Sequence, residues 1–151
     1  MKNIKVLIIC IIIPLLVGFV SNLLGNSASY STFNKPFLSP PGIVFPIVWT
    51  ILYILMGISS YIIYTSSDKN KNKALTIYGV QLFVNMFWTF FFFNLRWYLF
   101  SFIWILLLIG LVSYMIYLFY KIDKKAGLFQ VPYLIWLVFA SYLNIMIFIL
   151  N

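Results

Sequence analysis

Long apolar runs alternate with short polar stretches along the 151 residues of the chain. A helix needs about 20 mainly apolar residues to cross roughly 30 Å of hydrocarbon, and five runs reach that length. We predict spanning helices over residues 5–25, 43–64, 74–93, 99–120 and 129–150. The runs are too long and too continuous for the alternating strands of a membrane barrel. The sequence therefore predicts an all-α membrane protein, a five-transmembrane-helix bundle that forms a single domain over residues 1–151.

The composition excludes a water-soluble domain. Hydrophobic residues make up 64% of the chain and charged residues only 8%, whereas soluble domains carry about 25% charged residues. The net charge of +8 comes from short clusters of lysine between the apolar runs. Because no basic face is available to lie along a phosphate backbone, we predict membrane lipid and no nucleic acid as a partner.

The basic residues predict the orientation of the bundle. With five spans, the side that holds the amino terminus carries eight of them: Lys2, Lys5, Lys69, Lys71, Lys73, Lys121, Lys124 and Lys125. The other side carries Lys35 and Arg96. The positive-inside rule places the richer side in the cytoplasm. We therefore expect a multi-pass protein of a bacterial cytoplasmic membrane, with the N-terminus cytoplasmic and the C-terminus outside.

The first span has an alternative interpretation as a secretory signal. Lys2 and Lys5 followed by an apolar run resemble the first two regions of such a signal. The run continues to Leu24, which is longer than most signal sequences require. Its length favours a helix that is retained in the membrane.

The predicted membrane interior contains no acid and no histidine. The chain has no histidine, and its two acids, Asp68 and Asp123, lie in predicted cytoplasmic loops. Proton-coupled transporters use ionisable groups within their spans, and hydrolases need an activated nucleophile, so both classes are disfavoured. The single Cys10 excludes an internal disulfide, and no spacing of metal ligands occurs. We therefore predict no metal and no cofactor.

Three predicted helix faces carry aromatic or amide side chains at helical spacing. They consist of Phe45, Trp49 and Tyr53 on the second span, Gln81, Asn85 and Trp88 on the third, and Trp136, Ala140 and Asn144 on the fifth. Such faces can surround a flat apolar ligand. Two alternatives remain open at this point. The amides could serve only as contacts between helices, and the tryptophans could be anchors at the membrane surface.

Four short motifs occur in order along the chain, and together they resemble the TspO/translocator protein family. They are Tyr30 with Lys35-Pro36 and Pro40-Pro41, the segment 45–53 (FPIVWTILY) with Met56-Gly57, Gln81-x3-Asn85-x2-Trp88, and Pro132-Tyr133-Leu134-x-Trp136-x2-Phe139-Ala140-x2-Leu143-Asn144. The resemblance extends from Tyr30 to Asn151. Two positions depart from the family pattern: Leu38 replaces a common aromatic residue, and Trp104 stands where many members have an acid.

The resemblance implies a five-helix membrane protein that binds porphyrins, and in some members sterols and benzodiazepine-type drugs, inside the bundle. It implies a tetrapyrrole site in which Trp49 and Trp136 flank the ligand and support its light-dependent breakdown. Gln81, Asn85, Trp88 and Ala140 would line this cavity, and Tyr30 in the first loop would close it. Because histidine is absent, haem iron has no imidazole ligand, so a metal-free porphyrin is favoured. The resemblance also implies a homodimer.

Three functions are consistent with these observations. The first is a receptor or sensor for protoporphyrin IX, with or without photo-oxidative degradation that depends on Trp49 and Trp136. The second is a carrier of porphyrins or other apolar molecules across the membrane. The third is a regulatory protein whose partner recognises the basic cytoplasmic loops, including Lys69, Lys71 and Lys73.

Overall fold

The computed structural model describes residues 3–25, 30 and 33–151. Its helices are α1 (Ile4–Leu24), α2 (Val44–Tyr64), α3 (Lys71–Thr89), α4 (Tyr98–Ile122), the short α5 (Lys124–Phe129) and α6 (Val131–Leu150). A π-helical turn, Phe90–Asn94, continues α3. In the described residues, five helical segments are long and apolar enough to cross a membrane, α5 and α6 together forming the last of them. The prediction of an all-α bundle with five spans is confirmed.

Polar residues at the helix starts explain where several helices begin. The side chain of Asn3 accepts hydrogen bonds from the backbone N–H groups of Lys5 and Val6, at 3.0 and 3.4 Å, and so caps α1. The side chain of Asp123 caps α5 in the same way. Both caps satisfy N–H groups that have no acceptor within the helix. Pro132 lies in the first turn of α6, where its missing N–H has no cost.

Three span boundaries differ from the prediction by two residues or more. The last span begins at Lys124, with the short α5, rather than at Phe129. Helix α3 begins at Lys71 rather than at Ala74, and α4 continues to Ile122 rather than ending at Tyr120. The lysines in these extra turns lie over tyrosine rings: Lys71 Nζ is 5.4 Å from the centre of Tyr64, and Lys121 Nζ is 5.4 Å from that of Tyr117. A long side chain can thus belong to the helix and still keep its ammonium group in water, so the helices extend beyond the apolar runs.

Helix α1 packs against α2 and α3, while α4 packs against α3 and α6. Helices α1 and α2 approach each other closely at Gly57. A methyl group on Gly57 would lie 2.5 Å from the Cα atom of Ile11 and 2.7 Å from the carbonyl oxygen of Cys10. Since both are backbone atoms, no side-chain rotation can relieve the overlap, and a small residue is required for this helix crossing.

We expect Gly57→Ala to lower the free energy of unfolding by about 1–3 kcal/mol, because the methyl group forces α1 away from α2. Gly110→Ala is the matched control, since a methyl group there has no neighbour within 4 Å. Denaturant titration in detergent micelles measures both. Equal stabilities of the two variants would show that α1 and α2 are not in close contact at Gly57.

Candidate functional site: an aromatic cavity inside the bundle

A cavity of about 530 Å³ lies inside the bundle. Helices α1, α2, α3, α4 and α6 and the first loop all contribute to its wall. The lining residues are Leu15, Gly18, Phe19, Ser21, Asn22, Gly25, Tyr30, Phe45, Pro46, Trp49, Thr50, Tyr53, Asn85, Trp88, Thr89, Phe92, Phe93, Ile105, Leu108, Trp136, Leu137, Ala140, Leu143, Asn144 and Ile147. None of these described residues is charged, so the cavity suits an apolar ligand.

Aromatic rings form two walls of the cavity. On α2, the Trp49 indole stacks on the Tyr53 ring at 5.5 Å between centroids, with 26° between the planes. On α6, the Trp136 ring meets Phe45 of α2 edge-on at 5.9 Å. The spacing of four residues along α2 puts Phe45, Trp49 and Tyr53 on one face, because a helix has 3.6 residues per turn. The cavity therefore contains broad ring surfaces contributed by α2 and α6.

The first loop covers one end of the cavity. Tyr30 is buried, packs edge-on against Phe45 at 4.8 Å and donates a hydrogen bond to the carbonyl oxygen of Pro40 at 2.7 Å. Lys35 Nζ lies 4.9 Å from the centre of the same ring. Burial raises the pKa of the Tyr30 hydroxyl, and the nearby Ser39 side chain opposes part of that rise. The hydroxyl thus stays protonated and keeps its donor role at physiological pH.

Hydrogen bonds between helices form the other end of the cavity. Tyr53 donates to Asn85 Oδ1 at 2.7 Å, and Asn85 Nδ2 donates to the Tyr133 hydroxyl at 2.8 Å. Tyr133 in turn donates to Gln81 Oε1 at 2.7 Å. All four side chains are buried. This chain joins α2, α3 and α6, and it fixes the ring of Tyr53 below Trp49.

A second group of hydrogen bonds holds the part of the wall near the first loop. Trp88 Nε1 donates to Asn144 Oδ1 at 2.9 Å, and Asn144 Nδ2 donates to the carbonyl oxygen of Tyr98 at 2.8 Å. The amides of Asn85 and Asn144 therefore both bond to protein groups on their oxygen and nitrogen sides. Among the described residues, the indole N–H of Trp136 is buried without a partner. The amides shape the wall, and most of the surface left for a ligand is apolar.

We expect Asn85→Leu to lower the free energy of unfolding by about 1–3 kcal/mol, because it leaves the buried Tyr53 hydroxyl without its acceptor. Asn72→Leu, on the exposed first turn of α3, is the matched control and should change stability little. Adding Tyr53→Phe to Asn85→Leu should recover part of the loss. If Asn85→Leu is as stable as the wild type, the buried chain does not contribute to stability.

Nine of the ten predicted ligand residues line the cavity. These are Tyr30, Phe45, Trp49, Tyr53, Asn85, Trp88, Trp136, Ala140 and Asn144. Gln81 is not part of the lining. It is fully buried beyond Tyr133, and its Oε1 accepts a hydrogen bond from the Tyr133 hydroxyl. It supports the cavity through Tyr133 and has no surface facing into it.

The contribution of α1 was not predicted from the sequence. Gly18, Ser21 and Asn22 of this helix, and Gly25 directly after it, line the cavity. Their spacing of three, four and seven residues places them on one face, and they are the small and polar residues of an otherwise apolar stretch. This pattern of small and polar residues could have indicated a cavity-facing side of α1. No sequence pattern indicated that Thr89, Ile105 and Leu108 line the cavity, because their residue types are ordinary in a membrane helix.

Comparison with known sequences gives a consistent result. The sequence model of the TspO/MBR family matches residues 10–150. The tryptophan-rich protein TspO of Chlorobaculum tepidum is 39% identical, over 99% of this chain and 98% of that protein. A protein of the same name from Archaeoglobus fulgidus is 33% identical, over 99% of each. The human translocator protein is 32% identical, over 76% of this chain and 70% of that protein.

Proposed function

The chain belongs to the TspO/MBR family, and on this basis we propose that it is a membrane receptor for a tetrapyrrole such as protoporphyrin IX. The observation that carries the proposal is the shared cavity of Trp49 on α2 and Trp136 on α6. A flat macrocycle can lie against both indoles, since stacked rings are a favourable arrangement of aromatic surfaces. The protein is a multi-pass membrane protein, so a ligand that dissolves in the bilayer can reach it.

The size and polarity of the cavity support this class of ligand. Its volume of about 530 Å³ is within the range of about 300–1,000 Å³ that small-molecule sites have. The wall offers ring faces and alkyl groups for the macrocycle, and Tyr30 closes the outer end. Because no histidine is available as an axial ligand, we propose a metal-free porphyrin. Flat apolar drugs of the benzodiazepine type would compete for the same surfaces.

The orientation and assembly are part of the proposal. Lys69, Lys71 and Lys73 lie at the start of α3, and Lys121, Lys124 and Lys125 lie around the junction of α4 and α5. Placing this basic end in the cytoplasm puts the first loop and the C-terminus outside. The family resemblance implies a homodimer. The mass of the protein assembly in lipid nanodiscs would test this.

The test of the proposed function is a titration of purified protein with protoporphyrin IX in the dark, followed by the visible absorbance of the porphyrin. We expect a saturable shift with one porphyrin per chain. A benzodiazepine-type ligand should reverse that shift by competition. Absorbance that rises without saturation, as it does when porphyrin partitions into empty micelles, would contradict a specific site.

A carrier is the second candidate, and it is favoured by the name translocator protein, which several relatives have. A carrier must release its ligand on both sides of the membrane, whereas a receptor need not. Flux of a porphyrin into sealed vesicles that contain the protein separates the two. Uptake above that of protein-free vesicles would support the carrier, and binding without uptake would support the receptor.

A further inference from the structure

Helix α1 is fastened at its two ends to different neighbours. Over most of its length it lies against α2: a methyl group on Gly57 would meet the backbone of Cys10 and Ile11, and one on Gly18 would meet the ring of Tyr53. At its outer end it is bonded to α3: the Thr89 hydroxyl donates to the carbonyl oxygen of Ser21 at 2.7 Å, and Asn94 Nδ2 donates to that of Leu24. A methyl group on Gly25 would overlap the backbone of Thr89. Helix α1 therefore leaves α2 and crosses towards α3 as it approaches the outer surface.

Beyond the close approach of Gly18 to Tyr53, this crossing leaves a slot between α1 and α2 near the outer surface. Four residues line the cavity and are also exposed: Phe19 and Asn22 on α1, and Pro46 and Thr50 on α2. Phe19 has 62% of its surface exposed. A residue that lines a cavity and is exposed to this degree lies at its mouth. The mouth is therefore on the side of the bundle that faces lipid.

The other boundaries of the cavity are closed in the described part of the chain. Tyr30 and Phe33 are buried over the outer end. The segment that follows them is held to α6, because Tyr142 donates a hydrogen bond to the carbonyl oxygen of Phe37 at 2.7 Å and Asn34 exchanges hydrogen bonds with Asn151. Between α2 and α6, Trp136 separates the cavity from a shallow groove on the surface of these two helices.

We propose that the ligand enters the cavity sideways from the bilayer, through the slot between α1 and α2. This inference rests on the proposed function and adds the access route. The ligand class is a flat amphiphile dissolved in the outer leaflet, with an apolar ring system and a polar edge. The ring passes between the helices, while Asn22 and Thr50 offer hydrogen-bonding groups to the polar edge near the membrane surface, where such groups cost least.

A reversible cross-link across the slot tests the route. Asn22→Cys and Pro46→Cys are introduced together, in a Cys10→Ser background, and joined by bifunctional methanethiosulfonates of graded length. The comparison pair is Asn34→Cys with Asn151→Cys, which locks the first loop to α6. Each protein is reconstituted in vesicles, the linked fraction is measured by mass spectrometry, and its own reduced form is the reference. Binding of protoporphyrin IX is followed by stopped-flow quenching of tryptophan fluorescence.

We expect the slot cross-link to slow association by about tenfold or more, with recovery on reduction, and the loop cross-link to change the rate much less. If the loop cross-link slows association as much as the slot cross-link or more, the sideways route is wrong. An equilibrium titration of the reduced proteins separates the two proposals. Saturable binding at a rate insensitive to the slot link overturns the route alone, and absence of saturable binding overturns the proposed function as well.

Discussion

Replacing Ala140 with phenylalanine is expected to weaken the binding of protoporphyrin IX by about 100-fold or more, which corresponds to about 2.7 kcal/mol or more. Ala140 is buried on α6 and lines the cavity. Its small side chain leaves room beside Trp136, one turn earlier on the same helix. A phenyl ring at this position occupies the space that the macrocycle needs. The measurement is a dark titration of the variant by porphyrin absorbance.

The control for this prediction is Val138→Phe, two residues away on α6. Val138 is 54% exposed and does not line the cavity, so the same ring is added on the lipid side. We expect near wild-type affinity for this variant and similar thermal unfolding for both. Wild-type affinity of Ala140→Phe, in a protein that unfolds normally, would mean that the ligand occupies another part of the molecule.

Removing both cavity indoles, by Trp49→Phe with Trp136→Phe, is expected to slow light-dependent loss of bound porphyrin by about tenfold or more. Light excites the porphyrin, and dissolved O₂ is the oxidant. An indole in contact with the excited porphyrin can exchange an electron with the porphyrin, which a phenyl ring does not do readily. Phenylalanine keeps an aromatic surface, so folding should persist. The rate is measured at saturating porphyrin from the decay of visible absorbance under constant illumination.

Trp97→Phe is the matched control, because Trp97 is exposed and lies outside the cavity lining. It should leave the rate unchanged, and removal of oxygen should stop the reaction in every variant. A double variant that degrades porphyrin at the full rate would rule out a role for these indoles. The protein would then be a binding protein whose ligand bleaches without its help.

The five spans could be predicted from the sequence because each is a long apolar run, and hydrophobic length determines what crosses a membrane. The π-helical turn could not. Four consecutive phenylalanines, Phe90 to Phe93, show no periodicity that distinguishes one helical form from another. The turn is identified by its backbone hydrogen bonding, since Leu95 N–H donates to the carbonyl oxygen of Phe90, five residues earlier. Directly after it, Arg96 has a positive φ of 55°.

The cavity could be predicted in part. Regular spacing of aromatic residues on α2 and α6 indicated two of its walls, because residues four apart share a helix face. The partners of the amides could not be read from spacing. Asn85 bonds to Tyr53 and Tyr133, which lie 32 and 48 residues away in sequence. Such pairings depend on how the helices cross. The sequence therefore suggested that the amides contact a ligand, whereas in the structure they form hydrogen bonds between helices.

Dark titration of tryptophan fluorescence with protoporphyrin IX shows whether the ligand lies between Trp49 and Trp136, when the wild type is compared with Trp49→Phe, Trp136→Phe and Trp97→Phe. We expect saturable quenching in the wild type. The affinity should fall in Trp49→Phe and in Trp136→Phe, and should be unchanged in Trp97→Phe. Equal affinities in all four proteins, or quenching that never saturates, would contradict a ligand site between the indoles of α2 and α6.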